Sequence, residues 1–325
     1  MTNKRVTDTA VTHTTVTGER VRKRRGSALG RLWRQSTGRF GLIVVGLVVL
    51  TAAVSLVWTP FDPQRVEITD RWAPPGWPHL LGTDNTGRDM LSMIMAGART
   101  TVFVAVGAGI VATVFGVLLA ALGALTARWV RETVAVLVDI LIAFPVLLIA
   151  MMISAVWGGS LWIVVWAVGI GFGVNIARVM RPELRRVLRS DFVMAGKASG
   201  LTPLQNLGRH LLPNVAPVFI VQLSWSMAVA VLAEAGLSYL GFGASVTEPS
   251  WGRLLADLQG FLTVYPLSVV WPGLVITITV LALNLLGDAI REATDPTLRE
   301  ARGSTRREAG PSARRARTHM PEVIS

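Results

Sequence analysis

Long apolar stretches alternate with short polar ones along most of the chain, and this alternation restricts how the chain can fold. Six apolar stretches lie between residues 40 and 289, and each is long enough to cross a bilayer as a helix. Hydrophobic residues make up 51% of the 325 residues and mean hydropathy is +0.51, more than a soluble core uses. The sequence therefore predicts an all-α integral membrane protein with six transmembrane helices.

Basic residues are concentrated in a few of the polar segments. Residues 1–39 contain ten Lys or Arg against two acids, and the segment from Arg178 to Arg209 contains seven against two. Basic segments of this kind stay in the cytoplasm. Both termini and the loop after the fourth span are therefore expected on the cytoplasmic side of a bacterial plasma membrane. The net charge of +12 follows this distribution and does not indicate a nucleic-acid interface. The absence of cysteine excludes disulfides, thiolate metal sites and cysteine nucleophiles.

The polar segments divide the chain into five regions. The basic arm, with Arg22–Arg25 touching anionic lipid, and the charged tail are expected to be disordered. The regions are the cytoplasmic arm 1–39, the first transmembrane helix 40–58, the extracytoplasmic loop 59–97, a core 98–289 with five more transmembrane helices and a cytoplasmic loop at 190–213, and the cytoplasmic tail 290–325.

In the extracytoplasmic loop, a turn that leads into a capped helix is predicted by Thr83, Asp84, Gly87 and Asp89. A metal site at Asp84 and Asp89 is the disfavoured alternative.

The second span, expected from about Arg99 to Ala127, carries small residues at every fourth position. They form a smooth ridge that lets a neighbouring helix pack closely, and they are Ala108, Ala112, Gly116, Ala120 and Ala124. The later spans are expected at about 133–156 with a kink at Pro145, and at about 161–179, 215–240 and 264–286.

Polar residues in or beside the spans are candidates for a pathway or for contacts within the bundle. They are Asp139, Asn175, Gln222 and Glu234. For Asp139, an interhelical hydrogen bond near the interface is favoured over a proton relay. The acidic residues lie toward the interfaces, with Asp139 and Asp288 expected inside and Glu234 outside, which makes an ion-coupled secondary carrier the weaker transport class.

The segment from Asp191 to Pro213 is a polar island that predicts two short helices. Asp191 is expected to cap the first, Gly200 to end it in the left-handed conformation, and Thr202 with Gln205 to form a capping box around Pro203. The apolar Phe192, Val193, Met194 and Leu201 stand beside the small Ala195, Gly196 and Ala198, so another backbone could approach this surface closely. The alternative is that this segment is an ordinary helical hairpin between membrane spans.

This segment resembles the cytoplasmic coupling loop of ABC importer permeases, with Ala195, Gly200, Leu212 and Pro213 in register. Three positions depart from the family pattern: Met194 stands in place of Glu, Gly196 in place of the second Ala, and His210 where an aliphatic residue is usual. The stretches at 81–99, 234–243 and 281–299 are similar to C-type subunits of dipeptide, oligopeptide and nickel importers. The resemblance covers roughly residues 81–299.

The resemblance implies the fold of a type I ABC importer permease and a role as half of a peptide pathway. It implies a second homologous permease, two cytoplasmic ATPases, an extracytoplasmic substrate-binding protein and membrane lipid as partners. ATP and Mg²⁺ would bind the ATPases, because none of the three lysines here lies in a phosphate-binding loop, and no catalysis, cofactor or metal is expected on this chain. Nickel chelates, glycosides or other small solutes are the alternative cargo. The residues implied to contact the ATPases are Phe192, Val193, Met194, Ala195, Gly196, Lys197, Ala198, Gly200, Leu201, His210, Leu212 and Pro213.

Overall fold

The computed structural model describes residues 28–245 and 247–294, and the secondary-structure elements of that part are helices. The segment Arg22–Arg25 and the tail beyond residue 294 lie outside the described residues. The helices are α1 Ala28–Arg34, α2 Ser36–Ser55, α3 Met90–Leu125, α4 Arg128–Ile142, α5 Val146–Trp157, α6 Leu161–Leu188, α7 Asp191–Ala198, α8 Pro203–Asn206, α9 Leu212–Tyr239, α10 Trp251–Leu258 and α11 Pro266–Thr294. A π-helical turn, Leu207–Leu211, joins α8 to α9.

Five helices of the described part are long and apolar enough to cross a membrane: α2, α3, α6, α9 and α11. Together α4 and α5 are also long and apolar enough for one span, and they are bent by 75° at the break between them. Pro145 immediately precedes α5, where its ring and missing N–H interrupt the helix. The described part therefore has five spans, or the predicted six when α4 and α5 are counted as one span, and the bend at Pro145 is sharp enough to divide that span into two helices.

The centre of the bundle is the crossing of α3 and α6. Ala108, Ala112 and Ala120 of the small-residue ridge are buried there, and a Cβ on Gly116 would lie 2.9 Å from the Gly173 carbonyl oxygen. On the opposite helix, a Cβ on Gly169 would lie 3.0 Å from the carbonyl oxygen of Ala108. Glycine and alanine on both helices thus let the two backbones touch.

The end of the basic arm is ordered, which the sequence did not predict. α1 ends just before α2 begins, and Leu32 packs against Ala289 and Ala293 of α11. A Cβ on Gly38 would lie 2.5 Å from the Leu32 carbonyl oxygen, so only glycine fits between α1 and α2. The expected disordered arm of residues 1–39 was wrong from Ala28 onward, because contacts with a distant helix order this segment.

Three other boundaries differ from the sequence-based expectation. α3 begins at Met90, so the loop expected at 59–97 ends earlier, because Asp89 caps the helix by accepting a hydrogen bond from the Ser92 amide. α6 continues beyond Val179 to Leu188. α11 extends past residue 289 to Thr294. Helices in this protein thus extend beyond the apolar stretch that hydropathy detects.

The connections at one end of the bundle pack into a cap, which we define as residues 59–89 and the described part of 240–265. Trp72 stacks on Tyr265 with ring centroids 4.0 Å apart, and Gln64 Nε2 donates a 2.8 Å hydrogen bond to the Thr247 carbonyl. The buried Trp251 of α10 donates from Nε1 to the Ile94 carbonyl of α3 at 2.8 Å. The 190–213 loop lies at the opposite end, because it joins the other termini of the spans.

Candidate functional site

The 190–213 loop folds as the predicted bent helix pair. Gly200 has φ +86°, and the Leu201 amide donates to the Gly196 carbonyl at 3.1 Å, which closes the turn. The Thr202 amide donates to Gln205 Oε1 at 2.9 Å, and the Gln205 amide donates to Thr202 Oγ1 at 3.2 Å. The left-handed glycine and the capping box are both confirmed.

The prediction for Asp191 was wrong. Asp191 is the first residue of α7 rather than the residue that caps it. The carbonyl of Ser190 accepts the amides of Val193 and Met194, both at 3.1 Å, so Ser190 takes the capping position. The serine and aspartate are adjacent in sequence, and both residue types favour helix starts, so local pattern alone does not separate them.

The helix pair is anchored by some of its apolar residues and exposes others. Val193 is fully buried, together with Leu207 and Leu211 of the following turn. Phe192 and Met194 on the same helix are 46% and 52% exposed. Close packing of α7 on the next turn requires Gly196, because a Cβ there would lie 3.0 Å from Asn206 Oδ1. The result is a rigidly seated knob with an apolar outer surface.

The remaining residues implied for this loop divide in the same way. Ala195, Ala198, Gly200 and Pro213 are exposed, Gly196 is buried, and Leu201, His210 and Leu212 are half-buried. The His210 ring lies 6.2 Å from the Phe192 ring, so it neighbours the exposed surface. The structure does not describe the side chain of Lys197.

A polar cleft of about 370 Å³ opens between α6, α9 and α11. It brings together Asn175 and Gln222, two of the predicted polar residues, with Asn284 and Asp288 of α11. Asn175 Nδ2 donates to the Gly171 carbonyl at 3.0 Å, which leaves its side-chain oxygen for other contacts. Trp225 forms an apolar wall beside these amides. Amides, one carboxylate and an aromatic ring form a surface suited to a polar solute.

The other two predicted polar residues lie away from this cleft. Asp139 is exposed on α4 and makes no hydrogen bond or ion pair within the described residues, so the expected interhelical hydrogen bond is absent from that part of the chain. Glu234 is completely buried near the cap. It is twelve residues beyond Gln222 on α9, a distance of about 18 Å along a helix.

The cap uses its buried carboxylates as internal hydrogen-bond acceptors. Asp84 accepts from the Thr86 amide at 2.7 Å and from Arg88 Nε at 2.6 Å. Asp89 accepts from Ser92 Oγ at 2.6 Å and lies 3.0 Å from His79 Nδ1. Gly87 has φ +82°, as a turn before a capped helix requires. The predicted turn and capped helix are confirmed.

Sequence reasoning missed several residues that complete these sites. Asn284 stands four residues before Asp288 on α11, so the two share one helix face, and this spacing was a usable signal for Asn284. His79 and Ser250 gave no such signal, because their acidic partners are brought to them by the tertiary fold.

A helical bundle with five to six candidate spans, a polar cleft between three of its helices and an apolar helix pair projecting at one end is the architecture expected of a membrane permease. Residues 112–300 match the family described as the inner membrane component of binding-protein-dependent transport systems. The chain belongs to this family.

Relatives of known name agree with this assignment. The chain is 35% identical over 271 residues to a protein of Brucella suis named as a peptide transport system permease, covering 82% of this chain and 90% of that one. It is 32% identical over 271 residues to the dipeptide transport system permease protein of Alkalihalophilus pseudofirmus, covering 83% and 89%.

A solved structure shares the fold. One chain of the methionine ABC transporter MetNI in an inward-facing conformation aligns with a TM-score of 0.53 at 20% identity, covering 63% of this chain and 98% of that one. The fold is therefore that of a type I ABC importer permease.

Proposed function

We propose that this chain is the permease subunit of an ATP-driven importer for dipeptides and oligopeptides and forms half of the translocation pathway. The cargo follows from the relatives, which are named as peptide and dipeptide permeases rather than nickel permeases. The observation that carries the ATP-driven class is the 190–213 loop, which presents an apolar, rigidly anchored surface outside the spans.

In this proposal the 190–213 loop docks into a groove on an ATPase subunit. Phe192 and Met194 would supply the apolar contact, since exposed aromatic and methionine side chains are favoured at the centres of interfaces. ATP and its hydrolysis belong to the two ATPases, whose closure moves the helix pair. Because α9 follows the π-helical turn directly, that movement reaches the helix that lines the cleft.

The polar cleft is the part of the pathway that this chain contributes. It is open on one side, where a second, homologous permease would complete it. Movement of α9 and α11 relative to α6 would then expose the solute alternately to the two sides of the membrane. Purified complexes are expected to contain a second permease and ATPase subunits, and a transport-competent homodimer without them would contradict the proposal.

In this proposal the basic 190–213 loop and both termini lie in the cytoplasm, and the cap lies outside, where a substrate-binding protein docks. The chain has no cysteine, so a single introduced thiol reports its own side of the membrane. Gly76 of the cap and Gln205 of the loop are exposed, and a Cβ on Gly76 meets no atom within 4 Å. An impermeant maleimide should label Gly76→Cys in intact cells and Gln205→Cys only after permeabilisation. Labelling of Gln205→Cys in intact cells would invert the topology.

Cargo is tested by uptake into cells that lack other peptide importers. Labelled dipeptide uptake should require this chain and should be competed by unlabelled dipeptides and tripeptides. Nickel uptake measured in the same cells serves as the control. Uptake of nickel that depends on this chain, without uptake of peptides, would replace the peptide assignment by the nickel alternative.

A further inference from the structure

Glu234 stands in an unusual position for a carboxylate in a membrane-spanning helix. Its side chain is completely buried near the end of α9 that enters the cap. Both Ser238 Oγ and Ser250 Oγ donate hydrogen bonds to its Oε1 atom, each at 2.7 Å. Ser238 belongs to α9 itself, whereas Ser250 is the residue that caps α10. One oxygen atom therefore joins two helices.

Further contacts between α9 and α10 lie on either side of this oxygen. A Cβ on Gly252 would lie 2.0 Å from the Ala235 carbonyl oxygen, so the first turn of α10 rests directly on the α9 backbone. Tyr239 of α9 hydrogen-bonds to Gln259 just beyond α10. Close contacts at both ends of α10 fix its direction as well as its position.

The second carboxylate oxygen takes no part in this junction. Oε2 of Glu234 has no hydrogen-bond partner within the described residues, and in that part of the chain Glu234 forms no ion pair. Asp84 and Asp89 of the cap, by contrast, have hydrogen-bond partners at both oxygens. The contribution of Glu234 is thus concentrated at Oε1.

The same helix reaches the pathway. Val221, Gln222 and Trp225 of α9 line the polar cleft, about 14 to 20 Å along the helix from Glu234. From Leu212 to Tyr239 α9 is a single continuous helix, so a displacement at one end is carried to the other.

We propose that Glu234 is a positioning residue that fastens α10 to α9, so that the cap helix and the pathway helix move as one rigid body during transport. The inference rests on the proposed function, because it assumes that α9 moves in the transport cycle. It adds a specific consequence: events at the cap reach the cleft through the junction of α9 and α10, in which the Ser250 hydrogen bond to Glu234 Oε1 acts beside the Gly252 and Tyr239 contacts.

Substitutions at the junction separate positioning from folding. Glu234→Gln keeps an acceptor at Oε1 and changes only the atom without a partner, so transport by the reconstituted complex should stay within about twofold of wild type. Glu234→Ala removes both acceptor contacts, and transport should fall about tenfold. Ser250→Ala deletes the bond between the helices together with the Ser250 cap of α10, and transport should fall in the same direction. Ser226→Ala is the matched control, since within the described residues that buried serine of α9 bonds only to the Gln222 carbonyl of its own helix.

A cross-link supplies the decisive test. Tyr239→Cys with Gln259→Cys places the only two thiols of the chain across the junction, where a short reducible bis-thiosulfonate can join them. If α9 and α10 move as one body, the cross-linked complex should hydrolyse ATP and transport as well as the reduced one. In the Glu234→Ala background, cross-linking should restore transport and a reductant should abolish the gain. Transport is normalised to the level of folded protein in the membrane, so a rescue that only restores folding is not counted.

Each result decides the question. Loss of transport on cross-linking the otherwise wild-type chain, or failure of the cross-link to rescue Glu234→Ala, would overturn the proposal. If Glu234→Ala fails to assemble, Ser250→Ala carries the same rescue test. ATP hydrolysis by the complex is measured beside peptide uptake, so an importer with another cargo would fail the uptake assay and still report on the junction.

Discussion

The two ends of the bundle differ in which side chains they bury and which they expose. In the cap, carboxylates such as Asp84 and Asp89 are buried and accept hydrogen bonds from neighbouring residues of the same chain. In the 190–213 loop, Phe192 and Met194 remain about half exposed although they stand on a firmly packed helix. The cap satisfies these carboxylates internally, whereas the loop leaves Phe192 and Met194 for another protein to cover.

Two glycines make this contrast measurable. Gly87 in the cap and Gly200 in the loop have nearly equal φ, +82° and +86°. A Cβ on Gly87 would lie 1.8 Å from the Glu67 carbonyl oxygen, whereas a Cβ on Gly200 meets no atom within 4 Å. The same backbone conformation is therefore enclosed at one end and open at the other, so the same substitution should have different consequences.

Gly87→Val should have the largest effect. The left-handed conformation costs a branched residue about 1 to 2 kcal/mol, and the overlap with the Glu67 backbone adds about 1 to 3 kcal/mol. We expect the protein to be degraded, with membrane levels at least about tenfold below wild type. Quantitative blotting of membranes measures this, and a normal level of Gly87→Val would contradict the view that the cap is closely packed.

Gly200→Val should leave the protein in the membrane and abolish its function. Only the conformational cost of about 1 to 2 kcal/mol applies there, which is small against the stability of a membrane bundle. For docking on an ATPase it is large, because about 1.4 kcal/mol corresponds to a tenfold change in affinity. We expect normal levels, peptide uptake reduced about tenfold or more, and weaker co-purification of ATPase subunits. If Gly200→Val shows wild-type uptake at wild-type expression, the loop does not couple the ATPases to transport.

Both the fold and the loop were largely predictable because their signals are local. Apolar stretches mark the spans, and Gly200 with the Thr202 and Gln205 pair marks the bend within a few residues. The pairs that complete the cap are not local: Asp89 meets His79 ten residues away, and Glu234 meets Ser250 sixteen residues away. No periodic pattern encodes such pairs.

The cleft and α1 escaped prediction for a similar reason. Asn175 and Asn284 lie on helices that are distant in sequence, and only the packed bundle brings them to one cleft. Leu32 looks like part of a basic arm until Ala289 and Ala293 are packed beside it. Hydropathy indicates which stretches enter the membrane but not which of their faces meet.

Phe192→Ala tests the exposed surface itself. Phe192 is 46% exposed and its neighbour Val193 supplies the buried anchor, so the free energy of folding should change little. Loss of an aromatic contact at an interface costs about 1 kcal/mol or more. We expect ATPase association and uptake to fall about fivefold with unchanged protein levels.

Val193→Ala is the control for that experiment. Val193 is fully buried in the core cluster, so its truncation should lower thermal stability first and transport only as a consequence. If Phe192→Ala instead lowers thermal stability and leaves ATPase binding unchanged, the exposed surface belongs to the fold and not to an interface.

The smallest effect is expected for the capping box, and it separates the shape of the loop from its surface. Thr202 Oγ1 accepts the Gln205 amide, and the Thr202 amide donates to Gln205 Oε1. Removing such a cap costs about 1 kcal/mol of helix stability, and here that loss is confined to α8, which is four residues long. Because Gly200 and the buried Val193 still hold α7 in place, Thr202→Ala should reduce uptake only about twofold to threefold.

Thr202→Ser retains the capping oxygen and should transport like wild type. Ser199→Ala is the matched control, since this exposed serine of the same loop bonds to the Ala195 carbonyl and caps nothing in α8. Initial rates of peptide uptake, normalised to the protein level in the membrane, resolve differences of this size. If Ser199→Ala and Thr202→Ala reduce uptake equally, the hydroxyl groups act through the exposed surface. The ATPase then does not recognise the geometry of the bend. If only Thr202→Ala reduces uptake, docking on the ATPase depends on the angle between α7 and α8. The contrast between the loop and the cap then includes backbone geometry as well as side chains.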